Sequence, residues 1–238
     1  LAEDAECAEL GVADIAVKRL PPWHFDAEAA RRSLCRQFET RDLAGFGAAG
    51  LGPALAAAGA LLEYAKSTQG TAIAHVKSLA VEQESAFVRM DAATRRNLEI
   101  SETIRGEPAP TLLSLLDTCA TAMGSRLLRH SLHHPLRDRA ALRERLDAVG
   151  ALIGDAGSGP HRALHQILRQ CVDVERVTAR VALRSARPRD LSGLRDTLAR
   201  LPELNAVLAA ALSPRMARLA AALAPQDDVA TLLAAAIR

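Results

Sequence analysis

Apolar residues recur at helical spacing along most of the chain. Leu191, Leu194, Leu198 and Leu201 lie three or four residues apart, which is typical of one face of an amphipathic helix. Few runs alternate between apolar and polar residues, as a half-buried strand would. Similar apolar stripes predict further helices at 34–38, 55–65, 112–119, 123–132, 142–149, 164–171, 174–181 and 204–212, and a last helix from Asp227 onward.

Polar and proline residues mark where these helices begin. An aspartate before an apolar run favours a helix start, because its carboxylate accepts the unpaired N–H groups of the first turn. Pro188 suits a first helical turn, and Asp190 would lie near the positive end of the helix dipole. The same reasoning predicts helix starts at Asp26, Pro53, Asp91, Thr111, Asp138, Pro160 and Asp173.

The first part of the chain mixes helical and extended pieces. The acidic residues 1–10 predict a helix, and residues 15–19 have strand character that two prolines end. Residues 23–25 read as a short extended piece, and residues 75–90 as an extended run. A strand that ends at Met90 and turns into a helix at Asp91 would suit a joint between two domains.

Composition favours a mainly α fold. Hydrophobic residues make up 49% and aromatic residues 3%, so Leu, Val and Ala must fill the core. Residues 1–90 have a net charge of −3 and residues 91–238 of +5. Residues 126–200 contain fifteen arginines and eight acidic residues, so this segment could lie near a phosphate backbone. A solvated helix surface is the alternative that the pattern favours.

No motif of an active site or of a cofactor site is present. Glycines cluster in residues 45–52, but they form no G-x-x-x-x-G-K-[ST] pattern and predict only a loop. The four cysteines, Cys7, Cys35, Cys119 and Cys171, contain no C-x-x-C pair and predict reduced thiols of a cytoplasmic protein. Charged residues interrupt every apolar run, so the sequence predicts no membrane span.

Histidines and carboxylates form the remaining candidate clusters. His130, His133 and His134 gather at one helix end, and His161 and His165 share a helix face. His161 is followed by arginine, where a zinc hydrolase helix requires glutamate, so we expect no metal-binding residue.

Two carboxylates also precede a pair of arginines. Asp173 and Glu175 lie close to Arg176 and Arg180, and they are predicted to cap a helix and to pair with neighbouring arginines. Acid–base catalysis is the alternative that paired carboxylates allow. Since no nucleophile is supported by a histidine and an acid, we expect no catalytic residue in this stretch.

Four motifs resemble the MutS family of bacterial DNA mismatch-recognition ATPases. The strongest is Met-Asp-Ala-Ala-Thr-Arg-Arg-Asn-Leu-Glu-Ile at 90–100, which resembles the start of the family's core domain. Leu-Glu-Tyr-Ala-Lys-Ser-Thr-Gln at 62–69 resembles the end of its connector domain. Pieces of 123–138 and 173–204 resemble the core and the entry to the lever helices. The motifs agree with the family in their order and spacing, and the match covers nearly the whole chain.

The resemblance implies an architecture. Residues 1–85 would be the C-terminal part of the connector, a truncated α/β domain related to RNase H folds. Residues 86–238 would be an all-helical core domain that runs into the start of the lever helices. Because the sequence begins at Leu1 and contains no Phe-x-Glu or Walker A motif, we expect a piece of a longer protein that binds neither a mismatch nor ATP by itself. The connector-like segment favours the repair class over a recombination-type paralogue.

The resemblance also implies a function. The full-length protein would be a cytoplasmic homodimer that binds mismatched double-stranded DNA and MutL and hydrolyses ATP with Mg²⁺. The stretch in hand would be structural, with no cofactor, and would couple the DNA-binding and ATPase ends. By itself it would be a monomer with weak, non-specific DNA binding at most. A self-contained helical protein-interaction scaffold and a nucleic-acid binder that uses 126–200 are the alternatives.

The motif at 90–100 contains three charged residues that could suggest chemistry. The resemblance places Arg95, Arg96 and Glu99 at the joint of connector and core, where they would hold the two domains. Arg95→Ala is then expected to loosen the domains without affecting any catalytic step.

Overall fold

The computed structural model describes residues 17–69, 73–211, 213–223 and 226–237. Contacts between Cα atoms divide the chain into two units, one up to Glu82 and one from Gln83. The predicted helix at 1–10 and the first two residues of the predicted strand at 15–19 lie outside the described residues. None of the helices in the described ranges is long and apolar enough to cross a membrane.

The described part of the first unit contains two α-helices, α1 (Ala27–Gln37) and α2 (Gly52–Gln69). The Asp26 carboxylate accepts the Ala29 N–H at 2.6 Å, which confirms the predicted start of α1. The prediction of an extended piece at 23–25 was wrong, because Pro22–Phe25 forms a turn of 3-10 helix. A proline at its first position sets the φ that this helix needs. A second 3-10 helix spans Ala44–Phe46.

Helices α1 and α2 cross where both have small residues. A Cβ atom built on Gly59 would lie 2.4 Å from Ala30 Cβ and 2.7 Å from Ala30 Cα. The predicted apolar stripe at 55–65 identified the helix, but it includes Leu61, which is 66% exposed. The buried residues of α2 are Leu55, Ala56, Gly59, Ala60 and Leu62.

The second unit is helical throughout its regular structure, which confirms a mainly α fold. The strand that was predicted to end at Met90 is reduced to one antiparallel bridge between Phe87 and Leu136, after a 3-10 helix at Glu84–Ala86. Val88 donates its N–H to Pro135 O at 2.7 Å, and Arg137 donates to Ala86 O at 2.9 Å. A longer ladder is blocked because Pro135 has no N–H to donate.

Ten α-helices follow in the described part of this unit, and the predicted caps at their starts are confirmed. Asp91, Asp138 and Asp173 each accept N–H groups of the first turn that follows them. The helices are α3 (Ala92–Asn97), α4 (Leu112–Leu116), α5 (Ala122–His133), α6 (Arg139–Ile153), α7 (His161–Leu168), α8 (Val174–Ala182), α9 (Pro188–Leu198), α10 (Leu201–Ala209), α11 (Pro214–Ala222) and α12 (Asp227–Ala236).

The core of this unit lies between α6, α7, α10 and α11. The predicted apolar stripe of α6 does not line it, because Leu146 and Val149 are half or more exposed. Helix α6 turns Ala148 inward instead, where a small side chain allows close packing. The buried cluster consists of Ala148, Leu164, Ile167, Leu204, Leu208, Ala211 and Met216.

A second close contact fixes the start of α8 against α9. Thr197 is only 4% exposed, and its hydroxyl accepts the Val172 N–H at 3.0 Å while donating to Gly193 O at 2.8 Å. A Cβ atom on Gly193 would lie 2.5 Å from Val172 Cγ1. The residue after Val172 is Asp173, so this contact holds that carboxylate in place.

Candidate functional site

Charged side chains connect three helices, α5, α8 and α9, of the second unit, which we call the helical unit. We call these contacts the helix-linking ion pairs. The first joins α5 to the start of α8. Arg126 Nη1 lies 2.7 Å from Asp173 Oδ2, and its Nη2 lies 3.0 Å from Asp173 Oδ1. The same Nη2 lies 2.5 Å from Glu175 Oε2. Because the contact with Asp173 is bidentate, it fixes the orientation of the two groups as well as their distance.

The second pair joins α8 to α9. Arg180 Nε and Nη2 donate to the two oxygens of Asp190 at 3.0 and 2.8 Å. Asp190 also accepts the Arg187 N–H at 3.0 Å, so the same carboxylate caps α9. The placement of Asp190 in the first turn of α9 was predicted. Its pairing with Arg180 was not, because Arg180 was expected to pair with Asp173 or Glu175.

The electrostatics of these pairs favour the ionised forms of the carboxylates and of the arginines. Hydrogen bonds from Arg126 hold the pKa of Asp173 below its ordinary value, and the pairing raises the pKa of Arg126 in return. The backbone N–H of Arg187, with Arg180, lowers the pKa of Asp190. A general acid or base needs a pKa near the working pH, which these shifts move further away. The predicted capping and pairing roles therefore fit the site, and Arg176 does contact Asp173 at 3.6 Å.

Two of the three histidines at the end of α5 come together. The rings of His130 and His134 stack at 4.5 Å between centroids, and Phe87 meets His134 edge-on at 5.5 Å. His133 Nε2 lies 2.9 Å from Ser101 Oγ. The cluster is thus occupied by packing and hydrogen bonds. In the described part of the chain, no group of three or more His, Cys, Asp or Glu residues is placed to hold a metal ion.

The other histidine pair is not brought together as a site. His161 Nδ1 lies 3.1 Å from Leu152 O, and His165 Nε2 lies 3.1 Å from Thr118 O. Each ring is therefore bound to a different backbone segment, and the shared helix face does not lead to a shared ligand.

Acid should destabilise the helical unit through His133. Burial, with Arg129 and Arg95 nearby, lowers the pKa of His133 below its ordinary 6.5. The unfolded chain then binds the proton more tightly, so the stabilisation is present above about pH 6.5 and is lost as the pH falls through the lowered pKa. We expect the urea midpoint to fall more in the parent than in His133→Gln between about pH 7.5 and about pH 5.5. Equal losses in both proteins would contradict this role.

The charged residues of the 90–100 motif are engaged locally. Arg95 Nε donates to Met90 O at 3.3 Å, and Arg96 Nη2 lies 3.4 Å from Ile104 O. Glu99 Oε1 accepts the Ile104 N–H at 2.7 Å. These contacts stabilise the cap of α3 and the turn after it. The expectation that Arg95 holds two domains together stays a prediction.

Some arginines of the 126–200 segment lie free on the surface. Arg143, Arg162 and Arg169 are exposed, and the described residues offer none of them a carboxylate within ion-pair distance. These three differ from Arg126 and Arg180, which are used between helices. The basic segment thus divides into arginines that build the fold and arginines that face solvent.

Two protein-family models match the chain, one in each unit. A family model for MutS domain II matches residues 2–77. A second, for MutS domain III, matches residues 93–238, which is more than half of the chain and includes all of the helix-linking ion pairs. The chain therefore belongs to the MutS family of DNA mismatch-repair proteins.

Proposed function

We propose that this chain is the connector and core part of a MutS-type mismatch-recognition ATPase, and that it couples the DNA-binding end to the ATPase end. The observation that carries the proposal is the bidentate contact of Arg126 with Asp173, which ties α5 to α8. The pair of Arg180 and Asp190 continues the connection into α9. Helices tied in this way move as one body, which a transmitter of conformational change requires.

The remaining functions belong, in this proposal, to the longer protein. Mismatched DNA, MutL, ATP with Mg²⁺ and a second copy of the chain would be its partners, and the cytoplasm its compartment. The support is the family membership together with the chemistry of the described residues, whose paired carboxylates are engaged in capping and ion pairing. A self-contained helical scaffold is the alternative. The open reading frame separates the two, because the proposal requires a downstream G-x-x-x-x-G-K-[ST] motif.

Coupling can be measured in the protein that the full reading frame encodes. We expect Arg126→Ala to leave basal ATP hydrolysis unchanged and to reduce the response of hydrolysis to mismatched DNA by about threefold or more. Arg105→Ala is the matched control, since Arg105 is exposed, lies outside the basic segment 126–200, and has no carboxylate partner among the described residues. Equal responses of the two variants would contradict a coupling role for the helix-linking ion pairs.

Non-specific DNA binding is a second candidate function, favoured by Arg143, Arg162 and Arg169. Exposed arginines gain affinity by releasing counterions from phosphate groups, so binding should weaken steeply with salt. We expect a mobility-shift titration to show weak binding at about 50 mM salt that is lost by about 200 mM, with equal affinity for matched and mismatched duplexes. A clear preference for the mismatch would place specific recognition in this chain.

A further inference from the structure

A shallow cleft lies above the crossing of α1 and α2 in the first unit. Its volume is about 390 Å³. Its lining includes Trp23, His24, Arg32 and Arg36, and we call it the Trp23 cleft. Small residues of the crossing, including Ala30 and Gly59, also line it.

The aromatic side of the Trp23 cleft is unusually exposed. Trp23 is the single tryptophan of a chain with 3% aromatic residues, yet 70% of it is accessible to solvent. Its ring stacks on His24 at 5.9 Å between centroids, which leaves one aromatic face for a ligand. An exposed tryptophan presents apolar area that a bound ligand can cover. Tryptophan and arginine are among the residue types most enriched at binding hot spots.

Two arginines, Arg32 and Arg36, give the cleft positive charge. Arg32 and Arg36 lie four residues apart on α1, so both reach the same face. The neighbouring Arg31 is engaged by Glu28 at 2.7 Å, whereas the described residues give Arg32 no carboxylate partner.

One carboxylate also lines the cleft, and it is already compensated. Glu63 accepts the Ser33 hydroxyl at 2.6 Å and pairs with Lys66 at 3.3 Å. The Ser33 hydrogen bond, with smaller contributions from Lys66 and Arg36, lowers the pKa of Glu63. It therefore stays ionised and would repel a doubly charged phosphate more than a single carboxylate.

We propose that the Trp23 cleft binds an acidic peptide segment of a partner protein. An apolar or aromatic side chain of the peptide would lie against Trp23, and its carboxylates would meet Arg32 and Arg36. A peptide fits better than a small ligand, because walls of exposed side chains bury little of a compact molecule and more of an extended one. The inference concerns the first unit alone and goes beyond the coupling proposed above.

Labelled peptides test the proposal on the 238-residue chain. The probe is a fluorescein-labelled peptide in which glutamates flank one phenylalanine, followed by fluorescence anisotropy. The matched variants are Arg32→Gln and Arg31→Gln, which remove the same charge from adjacent exposed positions of α1. We expect Arg32→Gln and Trp23→Ala each to weaken binding by about tenfold and Arg31→Gln to change it less than about twofold.

Changes in the probe separate the two contacts. Replacing phenylalanine with alanine, or the glutamates with lysines, should abolish most of the binding. Equal effects of Arg31→Gln and Arg32→Gln, or binding that ignores the phenylalanine, would overturn the proposal. Tighter binding of inorganic pyrophosphate or of a single-stranded oligonucleotide at this site would also overturn it and would assign the cleft to phosphate groups.

Discussion

Gly59→Ala should destabilise the first unit by about 2–3 kcal/mol, although the same change in a helix normally stabilises by up to about 1 kcal/mol. The new Cβ would lie 2.4 and 2.7 Å from Ala30 Cβ and Cα. Since Ala30 Cα belongs to the backbone, no rotamer change can relieve the overlap. The helices must separate, and Leu34 and Leu62 at their interface would lose packing.

Hydrogen exchange measured by mass spectrometry would show where the effect lies. We expect faster exchange in α1 and α2 and unchanged exchange in α6 to α11. Gly150→Ala is the matched control, because Gly150 lies inside α6 with no atom within 4 Å of the added Cβ. It should leave stability unchanged or raise it. A Gly59→Ala chain as stable as the Gly150→Ala chain would show that the close approach of α1 and α2 is not required.

A double-mutant cycle isolates the contact itself. Ala30→Gly should lower the free energy of unfolding less in the Gly59→Ala background than in the parent. The reason is that Ala30→Gly removes the Cβ that the new methyl group of residue 59 would meet at 2.4 Å. Additive effects of the two substitutions would mean that the methyl groups do not meet.

Local chemistry made much of this fold predictable. An aspartate cap needs only its own carboxylate and the N–H groups two or three residues on, so the sequence alone identified Asp26, Asp91, Asp138 and Asp173. Each of these is confirmed by a hydrogen bond into the turn that follows it.

Long-range partners could not be predicted from one sequence. Arg126 and Asp173 are 47 residues apart, and no local pattern marks them as a pair. The crossing at Gly59 and Ala30 depends likewise on which faces of two helices meet. The end of the extended run at 75–90 has strand-forming residues, but a strand also needs a neighbouring segment whose N–H groups can donate. Pro135 in that segment has no N–H. Asp173, Arg180 and Asp190 were therefore foreseen as single residues, whereas Arg126 and the contacts between the helices were not.

Asp173→Ala should lower the free energy of unfolding of the helical unit by more than the loss of a helix cap alone, which costs about 1 kcal/mol. Asp173 caps α8 through the Arg176 N–H at 3.2 Å and also accepts both hydrogen bonds from Arg126. Its side chain is only 17% exposed. Removing it leaves Arg126 with Glu175 as its remaining carboxylate and frees the start of α8 from α5.

Two matched variants divide this effect into its causes. Asp138→Ala removes the cap of α6, and Asp138 has no ion pair with any described residue. It should therefore lower the free energy of unfolding by less than Asp173→Ala does. Asp173→Asn keeps a capping oxygen and loses the charge, so its free energy of unfolding should lie between those of the parent and of Asp173→Ala. Because the folded pKa of Asp173 is lowered, its contribution is present above its ordinary value of 3.8 and is lost as the pH falls through the folded pKa. The gap between parent and Asp173→Asn in urea unfolding should therefore narrow in strong acid. A gap that does not change with pH would mean that the ion pair with Arg126 contributes nothing to holding α5 and α8 together.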